Sequence, residues 1–180
     1  HAFVREMPDF NSIVLEGDFV FETNPDNPYI VEDGVAYNST SKVLDPVPTT
    51  SWLKASFTIP DGKLGTLSWN ARFSGKAAYN SQYQYVNGEQ GFIEIKQPMT
   101  TYQWIEYAYL EGLYEVEMGS EELIAKSDEW YDYSQYTIFP PGEHYIMVRF
   151  DQGGDNETWG EDRLTLYNLK LHLQDFEDYA

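Results

Sequence analysis

Pro141-Gly142-Glu143-His144-Tyr145-Ile146-Met147-Val148-Arg149-Phe150 and, one loop later, Leu164-Thr165-Leu166-Tyr167-Asn168-Leu169-Lys170-Leu171-His172-Leu173 decide the fold. Both are short, rich in branched and aromatic side chains, and bounded by turn residues, as strands are. Upstream, Leu113 to Met118 alternates apolar and acidic residues, and Gly119-Ser120-Glu121 turns it into Glu122-Leu123-Ile124-Ala125. Trp130 to Phe139 reads as an aromatic strand, which Pro140-Pro141-Gly142 ends. The stretch from Gly112 to Leu173 is thus a run of consecutive antiparallel strands, with an acidic loop, Asp151 to Asp162, before the last.

The same signals recur towards the N-terminus. Candidate strands are Phe19 to Glu22, Tyr29 to Val31, Gly34 to Asn38, Ser51 to Ile59, Leu64 to Phe73, Gln82 to Val86, Phe92 to Lys96 and Tyr102 to Leu110. Asn24-Pro25-Asp26-Asn27-Pro28, Asp33-Gly34 and Pro60-Asp61-Gly62 punctuate them. Asn87-Gly88 is the strongest hairpin signal, because both central positions of a type I′ turn need the positive φ these residues tolerate. No segment sustains a helical period; Ser120 to Ala125 comes nearest. The expectation is an all-β chain folded as a two-sheet antiparallel β-sandwich of jelly-roll type. With no internal repeat or linker, residues 1–180 read as a single domain.

Eleven basic against thirty acidic residues give a formal charge of -19. That charge repels nucleic-acid phosphates and anionic membrane surfaces, so neither is an expected partner. It suits a chain that holds divalent cations or is simply well solvated. The absence of cysteine excludes disulfides, thiolate metal sites and cysteine nucleophiles. No apolar run approaches the roughly 18 residues that a membrane helix needs, which argues against membrane insertion. No secretory signal is visible, and His1 reads as a processed start. Asn38-Ser39-Thr40 and Asn156-Glu157-Thr158 have the form of glycosylation acceptors.

The order of motifs has a familiar form. Ile30-Val31-Glu32-Asp33-Gly34-Val35-Ala36-Tyr37 is followed by Trp52-Leu53-Lys54-Ala55-Ser56-Phe57-Thr58-Ile59-Pro60, then by Gly65-Thr66-Leu67-Ser68-Trp69-Asn70-Ala71-Arg72-Phe73-Ser74-Gly75. Near the end come Pro141 to Phe150 and Gly160-Glu161-Asp162-Arg163-Leu164 to Leu171. This resembles the jelly-roll domains related to MAM and concanavalin-like modules, which accompany bacterial surface proteins and polysaccharide-degrading enzymes. The resemblance implies a carbohydrate-binding or adhesion module, often with a structural calcium ion. Lys76 to Thr101 departs from the pattern by its extra tyrosines and an extra hairpin.

Catalytic signatures are mostly missing: there is no nucleophile elbow, no His-Glu-x-x-His helix, no phosphate-cradling loop and no dinucleotide fingerprint. His144 and His172 lie in expected strands and read as ordinary strand residues. Glu16-Gly17-Asp18-Phe19-Val20-Phe21-Glu22 has the spacing with which some jelly-roll glycosidases project paired carboxylates into a cleft. In a chain this acidic such a spacing arises readily by accident, and no catalytic residue is assigned from it.

Aromatic residues carry the binding argument. Five Trp, fifteen Tyr and ten Phe make up 17% of the chain, more than one core of this size needs. A Tyr or Trp ring covers the C–H face of a pyranose while amides and carboxylates bond its hydroxyls. Strand alternation puts Tyr83 and Tyr85 on one face, with Tyr79 just upstream; Trp104 shares a face with Tyr102. Trp130 lies on the opposite side of its strand from Tyr131 and Tyr133. Trp159 stands in the glycine-rich loop, where a large ring is exposed or folded back on a sheet. Tyr79, Tyr83, Tyr85, Trp104, Trp130, Tyr131, Tyr133 and Trp159 are the candidate ligand-binding residues; Trp52 and Trp69 read as core. The loop from Asp151 to Asp162 holds five carboxylates and an asparagine amide, an oxygen donor set suited to Ca2+ without EF-hand spacing. Asp151, Asp155 and Asp162 are the candidate metal ligands.

The leading expectation is a non-catalytic module that binds a polysaccharide or other glycan outside a cell, as one part of a larger multidomain protein. A glycoside hydrolase or polysaccharide lyase on the same scaffold is the first alternative. The second is a structural domain whose tyrosines contact a partner protein.

Overall fold

The alternation in the sequence is realised as two β-sheets facing each other across an apolar layer. The computed structural model describes residues 7–43, 48–75, 77–79, 85–96, 103–107, 114–119, 138–152 and 162–175, with side chains described at 7–43, 48–71, 138–152 and 162–175. A short 3-10 turn, Phe10–Ile13, precedes β1 (Val14–Glu16), β2 (Val20–Thr23), β3 (Tyr29–Glu32), β4 (Val35–Asn38), β5 (Thr49–Ile59) and β6 (Lys63–Gly75). Then follow β7 (Ala77–Tyr79), β8 (Tyr85–Lys96), β9 (Gln103–Tyr107), β10 (Tyr114–Gly119), β11 (Ile138–Phe139), β12 (Gly142–Gln152) and β13 (Arg163–Asp175).

Seven strands form one sheet in the order β10-β6-β13-β4-β3, with β11 also on β6 and β1 on β13; six form the other, β2-β5-β12-β8-β7, with β9 also on β8. The chain passes repeatedly between them. β5 and β12 belong to the six-stranded sheet, and their successors β6 and β13 to the seven-stranded one. This is the expected two-sheet β-sandwich. One pairing departs from the antiparallel expectation, because β1 runs parallel to β13.

Period-two burial shows which face of each strand meets the core. β5 turns Ser51, Leu53, Ala55, Phe57 and Ile59 inward, and β12 turns in His144, Ile146, Val148, Phe150 and Gln152. From the opposite sheet Leu67, Trp69, Ala71, Leu164 and Leu166 meet them, while Phe10 and Ile13 from the 3-10 turn join the same cluster. Gly65 occupies an inward place where a Cβ would stand 2.5 Å from Ile59 Cδ1, so a side chain there would have to displace the Ile59 and Leu171 side chains.

β13 changes phase midway. Tyr167 faces Asn70 and Lys170 faces Ser68, so β13 takes three steps where β6 takes two. The extra residue is a bulge at Asn168, whose φ is 52°. It moves the inward positions from Leu164 and Leu166 to Leu169 and Leu171, which is why the apolar spacing in the sequence slips by one.

Three readings of the sequence need correction. Asn87-Gly88 is not a hairpin turn; both residues lie inside β8, paired with Ala78 and Ala77. Gln82 to Val86 and Phe92 to Lys96 are not separate strands, since Tyr85–Lys96 is continuous. Trp52 is not in the core; Ser51 and Leu53 face inward, which leaves Trp52 half-buried on the outer face. Trp69 is a core residue as expected, at 2% exposure. Glu122 to Ala125 lies outside the described residues.

Candidate functional site

The outer face of the six-stranded sheet is built by the residues between the inward ones. On β12 these are Tyr145, Met147, Arg149 and Asp151, all half-buried. Paired positions of an antiparallel ladder lie on one face. The register therefore sets Tyr145 beside Ser56, Met147 beside Lys54, Arg149 beside Trp52 and Asp151 beside Thr50. The Lys54 ammonium lies 4.6 Å from the centroid of the Tyr145 ring, a cation–π contact that orients both. Arg149 Nε and Asp151 Oδ1 form an ion pair at 3.1 Å.

A cleft of about 650 Å3 opens at one end of this face, lined by Lys54, Ser56, Glu143 and Tyr145 and by the segment Asp18-Phe19-Val20. Phe57 and His144 also line it. His144 is 2% exposed. Its Nε2 is 2.8 Å from Pro140 O, and its ring stacks on Phe57 at 5.5 Å and meets the edge of Phe139 at 4.8 Å. It is a packed structural histidine, as its place in a strand led us to expect. The cleft offers one ammonium, two carboxylates, hydroxyls and aromatic rings in a lining of mixed polarity, a set suited to polyhydroxylic ligands.

Cross-strand rows extend this face. Arg149 pairs with Phe92, which pairs with Glu106; Met147 pairs with Glu94, which pairs with Trp104. The backbone position of Trp104 thus stands in the row of Lys54 and Met147. Tyr79 and Tyr85 are opposite each other in the β7–β8 pair, beyond the part of β8 that meets β12. Tyr83, Trp130, Tyr131, Tyr133 and Trp159 lie outside the described residues. Lys54, Tyr145 and the wall from Asp18 to Val20 were not singled out in the sequence. The signal for Tyr145 was its alternate position in the strand that decided the fold, out of phase with Ile146, Val148 and Phe150.

The Glu16, Asp18 and Glu22 pattern is divided by the fold. Glu16 ends β1 on the seven-stranded sheet, and Glu22 lies in β2 on the six-stranded one. Gly17, at φ 99°, carries the chain across. Asp18 alone of the three lines the cleft, and Glu16 is held instead by His172, with Nδ1 to Oε2 at 2.8 Å. These three residues therefore form no paired acid and base.

Of the candidate metal ligands, Asp151 and Asp162 frame the acidic loop, and Asp155 lies outside the described residues. Asp162 is fully buried at φ 51°, and its carbonyl accepts from Asn38 Nδ2 at 2.9 Å. Asp151 stands near the buried Tyr29 phenol, whose pKa is pushed well above its ordinary value by burial first and by the Asp151 charge second. Among the described residues no three acidic or histidine side chains converge on one point. Asn38 bears on the glycosylation triplets: it is fully buried, its amide donates to Thr40 Oγ1 at 2.8 Å, and its Oδ1 accepts from Leu164 N at 2.9 Å. In the folded chain this asparagine has no surface to present to a glycosyltransferase.

No family model and no curated protein matches the chain. Among solved structures, TmCBM61 in complex with beta-1,4-galactotriose is similar at a TM-score of 0.42 and 8% identity, over 87% of this chain and 88% of that one. The enzymatically active domain of bacteriophage CBA120 tailspike protein 4 is similar at a TM-score of 0.28 and 14% identity, over 87% of this chain and 18% of that one. Among the described residues no helix is long and apolar enough to cross a membrane.

Proposed function

We propose that this chain is a non-catalytic carbohydrate-binding module that acts outside a cell and holds a polysaccharide on the outer face of its six-stranded sheet. The observation that carries this reading is the outer row of β12 and β5. Tyr145 and Trp52 are half-buried rings on a face turned away from the core, flanked by Lys54, Arg149 and Asp151 and opening into a cleft of about 650 Å3. A pyranose lies flat on such a ring while charged and hydroxyl groups bond its rim. The backbone position of Trp104 on β9 stands in the same cross-strand row as Lys54. Affinity at one shallow site is modest, and neighbouring modules in a longer polypeptide raise it by multivalency.

Calcium is the second part of the proposal. Asp151, Asp155 and Asp162, with backbone carbonyls of their loop, supply the oxygen-only donors that this hard cation takes. Bound there, it would draw the two ends of the loop together and offset the mutual repulsion of the carboxylates.

The test is affinity electrophoresis of the chain against a panel of soluble plant and microbial polysaccharides, with reducing-sugar release measured in parallel. The expected result is retarded migration in at least one polysaccharide without sugar release. Tyr145→Ala weakens retardation about tenfold, since one stacked ring is worth roughly 1.4 kcal/mol. Retardation unaffected by Tyr145→Ala or Trp52→Ala moves the site elsewhere, and release of reducing ends overturns the non-catalytic reading.

A further inference from the structure

One wall of the cleft, Asp18-Phe19-Val20, belongs to the segment that has just crossed from the other sheet. Its approach is tightly constrained. A Cβ on Gly17 would lie 2.8 Å from Leu171 Cβ, 3.2 Å from Leu171 O and 3.3 Å from Phe19 Cε2, so the backbone passes hard against β13 at a φ open to glycine. Immediately before it, the Glu16 carboxylate reaches both neighbours of Leu171: Oε2 is 2.8 Å from His172 Nδ1, and Oε1 is 3.9 Å from Lys170 Nζ. A carboxylate only accepts, so Nδ1 carries the hydrogen of the short contact. Immediately after it, Phe19 packs edge-on against Phe57 at 5.7 Å and beside Phe21 at 6.2 Å.

From this geometry we infer that Glu16 is a positioning residue for the cleft: its carboxylate, clamped across Lys170 and His172 on the seven-stranded sheet, fixes the crossing at Gly17 and so sets Phe19 and Asp18 in the wall on the six-stranded sheet. β1 is only three residues long and shifts register between Val14 and Glu16. Its ladder is short, and the side-chain clamp adds to the constraint given by the packing at Gly17 and Phe19. The inference deepens the binding reading above by naming what shapes its cleft, and it rests on that reading only for the role of the cleft.

Amide hydrogen exchange on the intact chain tests it without any glycan. In Glu16→Ala, the amides of Phe19 and Val20 are expected to exchange about threefold faster, while those of Ile146 and Val148 in the core strand stay unchanged. Glu16→Gln keeps an acceptor for His172 Nδ1 and restores most of the protection. Unchanged exchange at Phe19 and Val20 in Glu16→Ala overturns the inference, as does equal acceleration at Ile146 and Val148, which marks general destabilisation. Because no polysaccharide enters the measurement, failure here is distinguishable from failure of the carbohydrate reading. The polysaccharide retarding the parent chain most is the second probe: Glu16→Ala weakens it several-fold and Glu16→Gln does not.

Discussion

Asn38 shows how much one buried amide can carry. Its side chain bonds Thr40 within its own turn and, across the chain, the carbonyl of Asp162 and the N–H of Leu164. It thereby completes the start of β13, where a backbone partner is replaced by an amide. Asn38→Ala leaves a donor and an acceptor buried without these partners, and each such loss costs about 1–3 kcal/mol. A loss of about 3 kcal/mol in chemical unfolding is expected, and a loss below about 1 kcal/mol would show that water replaces the amide there. Tyr29 makes a separate prediction about pH. Its phenol is buried, stands near Asp151 and is held well above its ordinary pKa, and Tyr37, donating to Glu32 Oε2 at 2.7 Å, is raised as well. The folded state keeps both protons after the unfolded chain has lost them. The stability they contribute is therefore fully present below about pH 10, the ordinary tyrosine value, and falls as pH rises beyond it. Unfolding midpoints measured from pH 8 upwards should decline more gently in Tyr29→Phe than in the parent; parallel curves would assign the decline to other groups.

Among the strands, β13 is where pattern and geometry meet. Its apolar residues, Leu164, Leu166, Leu169 and Leu171, follow no single period of two, and a bulge at Asn168 reconciles them with one buried face. Asn accepts the left-handed conformation, and its amide donates to Asn70 Oδ1 at 3.0 Å across the ladder. A β-branched residue there pays roughly 1–2 kcal/mol for the conformation alone. Asn168→Val should lose about that or more, and Asn168→Gly much less. Equal losses in a thermal melt would trace the effect to the amide bond rather than to φ. The same comparison shows what was legible in the sequence. β5 and β12 follow from period-two alternation, because a strand with one buried face must alternate. Asn87-Gly88 failed because the type I′ preference is local, whereas pairing with β7 draws these residues into a longer strand. Trp52 failed for a related reason: alternation reveals two faces, and hydrophobicity alone assigned the large ring to the wrong one. The cleft was less legible still, since β2 lies beside β5 only through a crossing at Gly17 that sequence spacing does not announce.

Charge is a property of the whole molecule. At -19 the folded chain repels itself, and compacting the charges opposes folding until ions screen them. Any added salt therefore raises the melting midpoint, which would mask a specific ion unless ionic strength is held constant. The acidic loop between Asp151 and Asp162 sharpens the comparison. A site of several oxygen donors at irregular spacing suits Ca2+, which tolerates irregular coordination, and not Mg2+, which demands a near-ideal octahedron and gives up water reluctantly. At matched ionic strength, CaCl2 should raise the midpoint above that in MgCl2, by the linkage between binding and folding, and a chelator should return it to the value in monovalent salt. Asp162→Asn should remove most of this difference while leaving the response to NaCl intact, because non-specific screening depends on the total charge and hardly on one carboxylate. Equal midpoints in calcium and magnesium would mean that the loop is merely solvated. The sandwich would then rest on its two apolar faces alone, while the cleft lined by Lys54 and Tyr145 would keep its own test, since Asp151 is not among its lining residues.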